Sequence, residues 1–252
     1  MTPRTSKNGR SRPQVVGVIT SRAEFEFAIR MRQPPDLFEL RLDRLVPVID
    51  QLERKISRLR TPLIITARHP AEGGANKLST PERRNLLSRF LSRAHDIDIE
   101  LRSADALDSL LQLARKQKVR RILSVHYLKS TPSPSLLRAK ARVAKMHGAD
   151  IFKVATRTDT PTQLARLLDF ITKRDVDLPL TAMGIGKLGA ASRVLLACCG
   201  SALVYASVAA ATDIEGQMSL QQFRALGFGR RMTKPDDERR IQKRHSKERR
   251  FR

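Results

Sequence analysis

The sequence predicts an α/β chain folded as a single (β/α)₈ (TIM) barrel, and three observations predict it. Eight short apolar runs of strand length alternate with longer segments carrying apolar residues at helical spacing. Eight such strand–helix units are the number that closes a barrel, and no change of composition divides residues 13–229 into two parts. Polar and charged residues recur at the C-terminal ends of the runs, the end at which barrels of this kind hold their chemistry.

The strands expected are QVVGVIT (14–20), LFELRLD (37–43), PLIITAR (62–68), DIDIEL (96–101), RILSVHY (121–127), DIFKVAT (150–156), PLTAMGI (179–185) and SALVYASV (201–208). Strand–helix alternation makes the sheet parallel. One intervening helix is TPERRNLLSRFLSRAH, which places Leu86, Leu87, Phe90 and Leu91 on one face and opens at Thr80–Pro81. SADALDSLLQLARKQK and TPTQLARLLDFITKR are two more, the latter again opened by Thr-Pro.

Hydrophobic residues make up 40% of the 252 and aromatics only 4%, so the core must be mostly Leu, Ile, Val and Ala. The net charge is +24; residues 1–12 hold +4 of it and residues 230–252 hold +7, which leaves +13 on residues 13–229. Both ends lack apolar periodicity and read as basic disordered tails. A barrel with surplus positive charge suits an anionic ligand. The C-terminal tail could hold nucleic acid by counterion release, but it has no recognisable motif and no interleaved aromatics, and reads first as a solvated extension. Cys198 and Cys199 sit together in an apolar run and read as small buried hydrophobes in a reducing compartment, the cytoplasm. No run of 18 apolar residues suggests a membrane span, and no secretory signal is read.

Lys153 lies inside the apolar run Ile151, Phe152, Val154 and Ala155. An ammonium is costly to bury alone. Such a lysine is either ion-paired, here to Glu39 or Glu100, or it sheds its charge, helped by nearby Arg41 and Arg68, and attacks a carbonyl carbon as an amine. His126 ends the fifth strand, with Ser124 on the same face, and is either a proton carrier beside an imine or a hydrogen-bonded residue of the barrel mouth. Glu39 and Arg41, two apart in a strand, share a face and suit an ion pair. Arg68 and Glu72 frame the loop TARHPAEGG, whose Gly73 and Gly74 permit a tight turn; Glu72 can then reach back over the mouth, or the loop is an ordinary turn. MGIGKLGAASR holds a G-x-G-x-x-G, which reads either as a dinucleotide fingerprint, though in the seventh unit rather than the first, or as an anion site where Arg193 grips a carboxylate or phosphate. No metal-ligand cluster is present in the sequence.

Taken together, ELRLD, IITARHPAEGG, DIDIEL, SVHYLKSTP, GADIFKVAT, MGIGKLGAASR and EGQMS, in that order from about Val15 to Gly227, resemble one family: type I 3-dehydroquinate dehydratase. The resemblance implies a hydro-lyase of the shikimate pathway, in aromatic amino acid biosynthesis, that dehydrates 3-dehydroquinate to 3-dehydroshikimate through a Schiff base. It implies Lys153 as the imine-forming lysine, His126 as the proton donor and acceptor, and Glu72 as the group that orients the histidine. Arg193 matches the arginine that grips the substrate carboxylate. Glu39, Arg41 and Arg68 match substrate-binding or site-organising positions, and Gln217 matches the glutamine of the loop after the eighth strand. The family carries a small hydroxyl residue where this chain has Asp213, and Thr212 is expected to stand in for it. No metal or soluble cofactor is implied, and a homodimer is. The rival enzyme reading is another Schiff-base barrel such as a class I aldolase; the rival of another kind is a nucleic-acid-binding protein using its basic surface.

Overall fold

The structure, a computed structural model, describes residues 12–173, 175–209 and 215–228. The expected tails at 1–12 and 230–252 lie outside it except for Arg12, whose guanidinium pairs with Asp36 at 2.6 Å. Thr212 and Asp213 also lie outside the described residues.

Eight strands form one parallel sheet: β1 Gln14–Ile19, β2 Leu37–Arg41, β3 Leu63–Thr66, β4 Asp96–Glu100, β5 Arg120–Tyr127, β6 Ile151–Arg157, β7 Leu180–Ile185 and β8 Leu203–Ser207. Between and after them run α1 Arg22–Arg30, α2 Leu42–Leu45, α3 Ile49–Lys55, α4 Thr80–Phe90, α5 Asp108–Lys116, α6 Pro134–Met146, α7 Pro161–Thr172, α8 Gly189–Cys199 and α9 Leu220–Ala225. Every expected strand is present; β5 begins one residue sooner, at Arg120, β6 runs one residue further, to Arg157, and most are trimmed where the chain leaves the sheet early. The second, for example, stops at Arg41 because Leu42 begins a short helix. Neighbours pair from β7 through β1 and on to β8, which yields the (β/α)₈ barrel.

The ring closes between β7 and β8 through side chains as well as backbone. Ala202 N–H donates to the Leu180 carbonyl at 2.8 Å. The Ser201 hydroxyl accepts from Ala182 N–H at 3.2 Å and donates to the Leu203 carbonyl at 3.0 Å, while Thr181 Oγ1 accepts from Leu203 N–H at 3.1 Å. Hydroxyls here satisfy backbone groups that a regular ladder would pair.

Alternation along the strands separates two apolar layers. Val16, Leu37, Ile64, Ile122, Ile151, Leu203 and Tyr205 face the barrel axis. Phe38, Leu40, Ile65, Leu123, Phe152 and Val204 face outward and pack on the helices. In α4 the expected stripe holds: Leu87, Phe90 and Leu91 are buried and Leu86 packs against them. The helix starts at Thr80, as expected, and Ser79 before it is the cap, exchanging hydrogen bonds with Glu82. Thr160 caps α7 in the same way with Gln163. The cysteines differ from expectation: Cys198 is exposed and Cys199 half-buried. At 100° per residue, α8 turns Leu196 and Ala197 inward and Leu195 and Cys198 outward, which a continuous apolar run conceals.

Replacing Ser201 by Ala should leave the Ala182 N–H unpaired at the seam and lower unfolding stability by about 1–3 kcal/mol. Equilibrium urea unfolding would read this, and a variant as stable as the parent would show that the hydroxyl is dispensable for closure.

Candidate active site at the C-terminal mouth of the barrel

Lys153 points into the barrel, 3% exposed. Its Nζ lies 2.8 Å from Asp98 Oδ2, 3.4 Å from Glu39 Oε1 and 3.9 Å from the centroid of the Tyr205 ring. Its nearest charged partners are thus carboxylates rather than Arg41 or Arg68; Glu39 is one of the two expected for an ion pair, and the one supplied by β4 is Asp98 rather than Glu100. Asp98 also takes both Nη atoms of Arg68, at 3.2 and 3.0 Å. Arg68 Nη1 continues to Glu100 at 2.9 Å, and Glu100 meets Arg83, a fully buried arginine of α4. Lys153, Asp98, Arg68, Glu100 and Arg83 therefore alternate in sign through the barrel wall. Burial opposes ionisation of Asp98, but the charges of Arg68 and Lys153 and the Arg68 hydrogen bond outweigh it and hold that carboxyl well below the usual range.

Strand register places the imidazole. Ser124 pairs with Lys153 across β5 and β6, so His126 stands one inward position nearer the mouth on the adjacent strand. Glu72 closes a 3₁₀ turn, Pro70–Glu72, and Gly73 follows with φ 86°. Oε2 of Glu72 accepts the His126 backbone N–H at 3.0 Å and meets His126 Nδ1 at 2.8 Å. With Glu72 ionised, Nδ1 carries the hydrogen and the lone pair sits on Nε2, ready to take a proton. Burial, with the charge of Glu100 added, pushes the Glu72 carboxyl up to about 7. Burial and the cations Arg68 and Lys153 keep His126 well below the ordinary imidazole range, so its resting form is neutral. The loop bearing Glu72 hangs from Asp43, whose carboxylate accepts from the backbone N–H groups of Arg68 and Ala75 at 3.2 and 3.0 Å.

Asp43 also takes the Arg41 guanidinium, at 2.9 and 2.8 Å. The expected Glu39–Arg41 pair does not form, because Asp43 on the following turn offers Arg41 both oxygens. Glu39 instead accepts from Thr66 Oγ1 at 2.8 Å as well as from Lys153.

Arg193, on α8, is 4% exposed. Its guanidinium donates to the Tyr205 carbonyl at 3.0 Å and the Gly216 carbonyl at 3.3 Å, with Met183 Sδ at 3.5 Å. Among the described residues it has no carboxylate partner, and burial alone pulls its pKa down to about 10. Such a group can receive an anion. The glycines preceding it have packing roles. A Cβ at Gly184 would meet Ser192 Oγ at 2.6 Å, one at Gly186 would meet Asp159 at 2.3 Å, and one at Gly189 would meet Gly216 Cα at 2.8 Å. These contacts explain the glycine pattern without a dinucleotide. Gln217 is half-buried and directly follows Gly216.

Two residues near Lys153 escaped the sequence reading. Arg83 falls on the apolar stripe of α4, four residues before Leu87 and seven before Phe90, and that breach of pattern was its signal. Tyr205 is an inward position of β8, and its ring beneath an inward lysine is visible only once the barrel closes. The groove of about 400 Å³ lined by Ile56, Leu59, Thr61, Arg93 and His95 lies at the opposite, N-terminal end of β3 and β4, where none of these groups reaches.

Comparison with known proteins identifies the family and the fold. Residues 19–228 match the family model for type I 3-dehydroquinase. A 3-dehydroquinate dehydratase of Dehalococcoides mccartyi is 32% identical over 212 residues, covering 83% of this chain and 92% of that protein. The structure of 3-dehydroquinate dehydratase from Enterococcus faecalis superposes with a TM-score of 0.74 at 28% identity, covering 90% of this chain and 100% of that one. A deoxyribose phosphate aldolase from Aeropyrum pernix reaches 0.54 at 15% identity over 84% of this chain and 90% of that one, a likeness of fold alone. The chain belongs to the type I 3-dehydroquinase family.

Proposed function

We propose that this chain eliminates water from 3-dehydroquinate to give 3-dehydroshikimate, the step of the shikimate pathway that its family carries out. The observation that carries the reading is a buried inward lysine set one register step below an imidazole whose Nδ1 is held at 2.8 Å by a carboxylate. In this reading Lys153 Nζ attacks the C3 ketone, and loss of water leaves a protonated imine. Asp98, kept ionised by Arg68, is the counter-ion that remains when the ammonium becomes an iminium. The imine draws electrons from the C2–H bond, and His126 Nε2 takes that proton. The same nitrogen returns a proton to the departing C1 hydroxyl and then assists hydrolysis of the imine. Arg193 receives the substrate carboxylate. Glu39, Arg41 and Arg68 organise the floor and wall of the site, and Gln217, with Thr212, contacts substrate from the loop after β8. A cytoplasmic homodimer completes the proposal; the dimer rests on the family resemblance and the compartment on two unbridged cysteines.

Sodium borohydride added with substrate should reduce the imine and add one substrate-derived mass to the peptide bearing Lys153. Lys153→Ala should abolish both adduct and turnover while its circular dichroism stays unchanged. His126→Ala should still trap substrate but lose about 10²–10⁴-fold in kcat. Absence of a wild-type adduct, or normal turnover in either variant, would sink the mechanism.

The Glu72–His126 pair sets a pH dependence. The folded-state Glu72 carboxyl titrates near 7, and its ionised form keeps the lone pair on Nε2. Acidification through 7 protonates the pair, so kcat/KM should fall by about tenfold per unit below that point. Glu72→Gln retains the acceptor oxygen but removes the titration, and its acid limb should move to lower pH. A limb that stays near 7 in Glu72→Gln would assign it elsewhere.

A further inference from the structure

Arg157, the last residue of β6, joins three loops of the mouth. Its Nε donates to Asp159 Oδ2 at 2.6 Å, and its Nη2 pairs with Glu215 Oε2 at 3.0 Å. Asp159 turns its other oxygen to the Lys187 N–H at 2.9 Å, which fastens the loop after β7. Glu215 is anchored a second time, because its carbonyl accepts the Gly186 N–H at 2.9 Å. The next residue, Gly216, has φ 76° and sits so close to Gly186 and Gly189 that a Cβ there would lie 2.4 Å from the Gly186 carbonyl oxygen. Its own carbonyl accepts from Arg193 Nε. One route of contacts therefore runs from Arg157 through Glu215 and the Gly216 carbonyl to the buried guanidinium.

We infer that the Arg157–Glu215 ion pair is a positioning device for substrate binding, fixing the Glu215–Gln217 segment so that Gly216 orients Arg193 toward the substrate carboxylate. This rests on the function proposed above and adds two residues to it. Neither touches the reacting atoms. Among the described residues Arg193 has only neutral acceptors around it, so the direction of its N–H groups depends on where those acceptors stand; Tyr205 is fixed by the sheet, whereas Gly216 lies on a connection held by Arg157. The pair is partly solvent-exposed, with Arg157 at 33% and Glu215 at 55%. Its effect is therefore modest and weakened by salt.

The test is steady-state kinetics of the full-length protein with 3-dehydroquinate, for wild type, Arg157→Gln, Glu215→Gln and the double variant, with Arg157→Lys as the conservative control. Each Gln variant should raise KM about two- to fivefold with kcat and borohydride trapping at saturating substrate unchanged. The double variant should be no worse than either single one, because the second change removes a partner already lost. Arg157→Lys should recover part of the wild-type KM, and the gap between wild type and the double variant should narrow as salt rises. An unchanged KM in either Gln variant, effects that multiply in the double variant, or a fall in kcat at constant KM would overturn the inference while wild-type turnover left the proposed function standing. A wild-type protein that neither turned over nor trapped substrate would overturn both.

Discussion

An ammonium group inside a barrel of Val, Ile and Leu would cost several kcal/mol if unopposed, and the interior of this protein is arranged around opposing it. Asp98 and Glu39 face Lys153 from β4 and β2. Each carboxylate brought in for that purpose is then itself buried and must be bonded. Asp98 takes Arg68 and Ser124, Glu39 takes Thr66, and Arg68 takes Glu100, which takes Arg83. The sequence of obligations ends only in α4, outside the sheet. Counting the lysine itself, six buried side chains of charged type, three basic and three acidic, form the set, and they come from β2, β4, β6, the turn after β3 and a helix. Chemistry and fold are coupled through this set: the residues that fix the amine also tie the wall together.

Most of the fold was legible because its signals are local. Strand length, alternation and Thr-Pro or Ser-x-x-Glu helix starts are written in contiguous residues, and the eight strands follow from them. Side-chain pairing is not local. Glu39 and Arg41 share a face of β2, which invites a pair, yet Arg41 goes to Asp43 because the chain bends into α2 just there. The partner of Lys153 from β4 is Asp98, one inward position below Glu100, a choice set by the stagger between strands. Cys198 was misread for a similar reason: VLLACC is apolar throughout, so no period marks its outer face. Arg83 was legible in principle, as a charge on an apolar stripe.

The candidate site was legible to the extent that inward polar residues at strand ends must do something. Their proposed division of labour came from the family resemblance, and the geometry adds how the groups are held. Two groups of opposite tendency, a carboxyl raised to about 7 and an imidazole held low, share one hydrogen bond. Cations below the histidine disfavour an imidazolium, and the neighbouring Glu100 disfavours a second carboxylate. A single proton near neutrality is the result, and it decides whether Nε2 accepts or donates. Burial disfavours the charged form of each group, which raises the carboxyl and lowers the imidazole and so reverses the order they have in water.

Arg193 breaks the rule that the rest of the interior obeys. Lys153, Arg68 and Arg83 each meet a carboxylate, whereas among the described residues Arg193 has two carbonyls and a thioether. Carbonyl oxygens orient a guanidinium but do not neutralise it, so among the described residues this buried positive charge meets no carboxylate, and burial itself penalises it. A carboxylate placed there by sequence would remove the penalty and would also fill the position an anionic substrate needs. Departures from internal charge balance are expected where a missing partner is to be supplied from solution. In the proposed reading the basic surplus on residues 13–229 acts at longer range, raising the concentration of an anion near the mouth, while the neutral acceptors described around Arg193 leave its charge for that anion to satisfy.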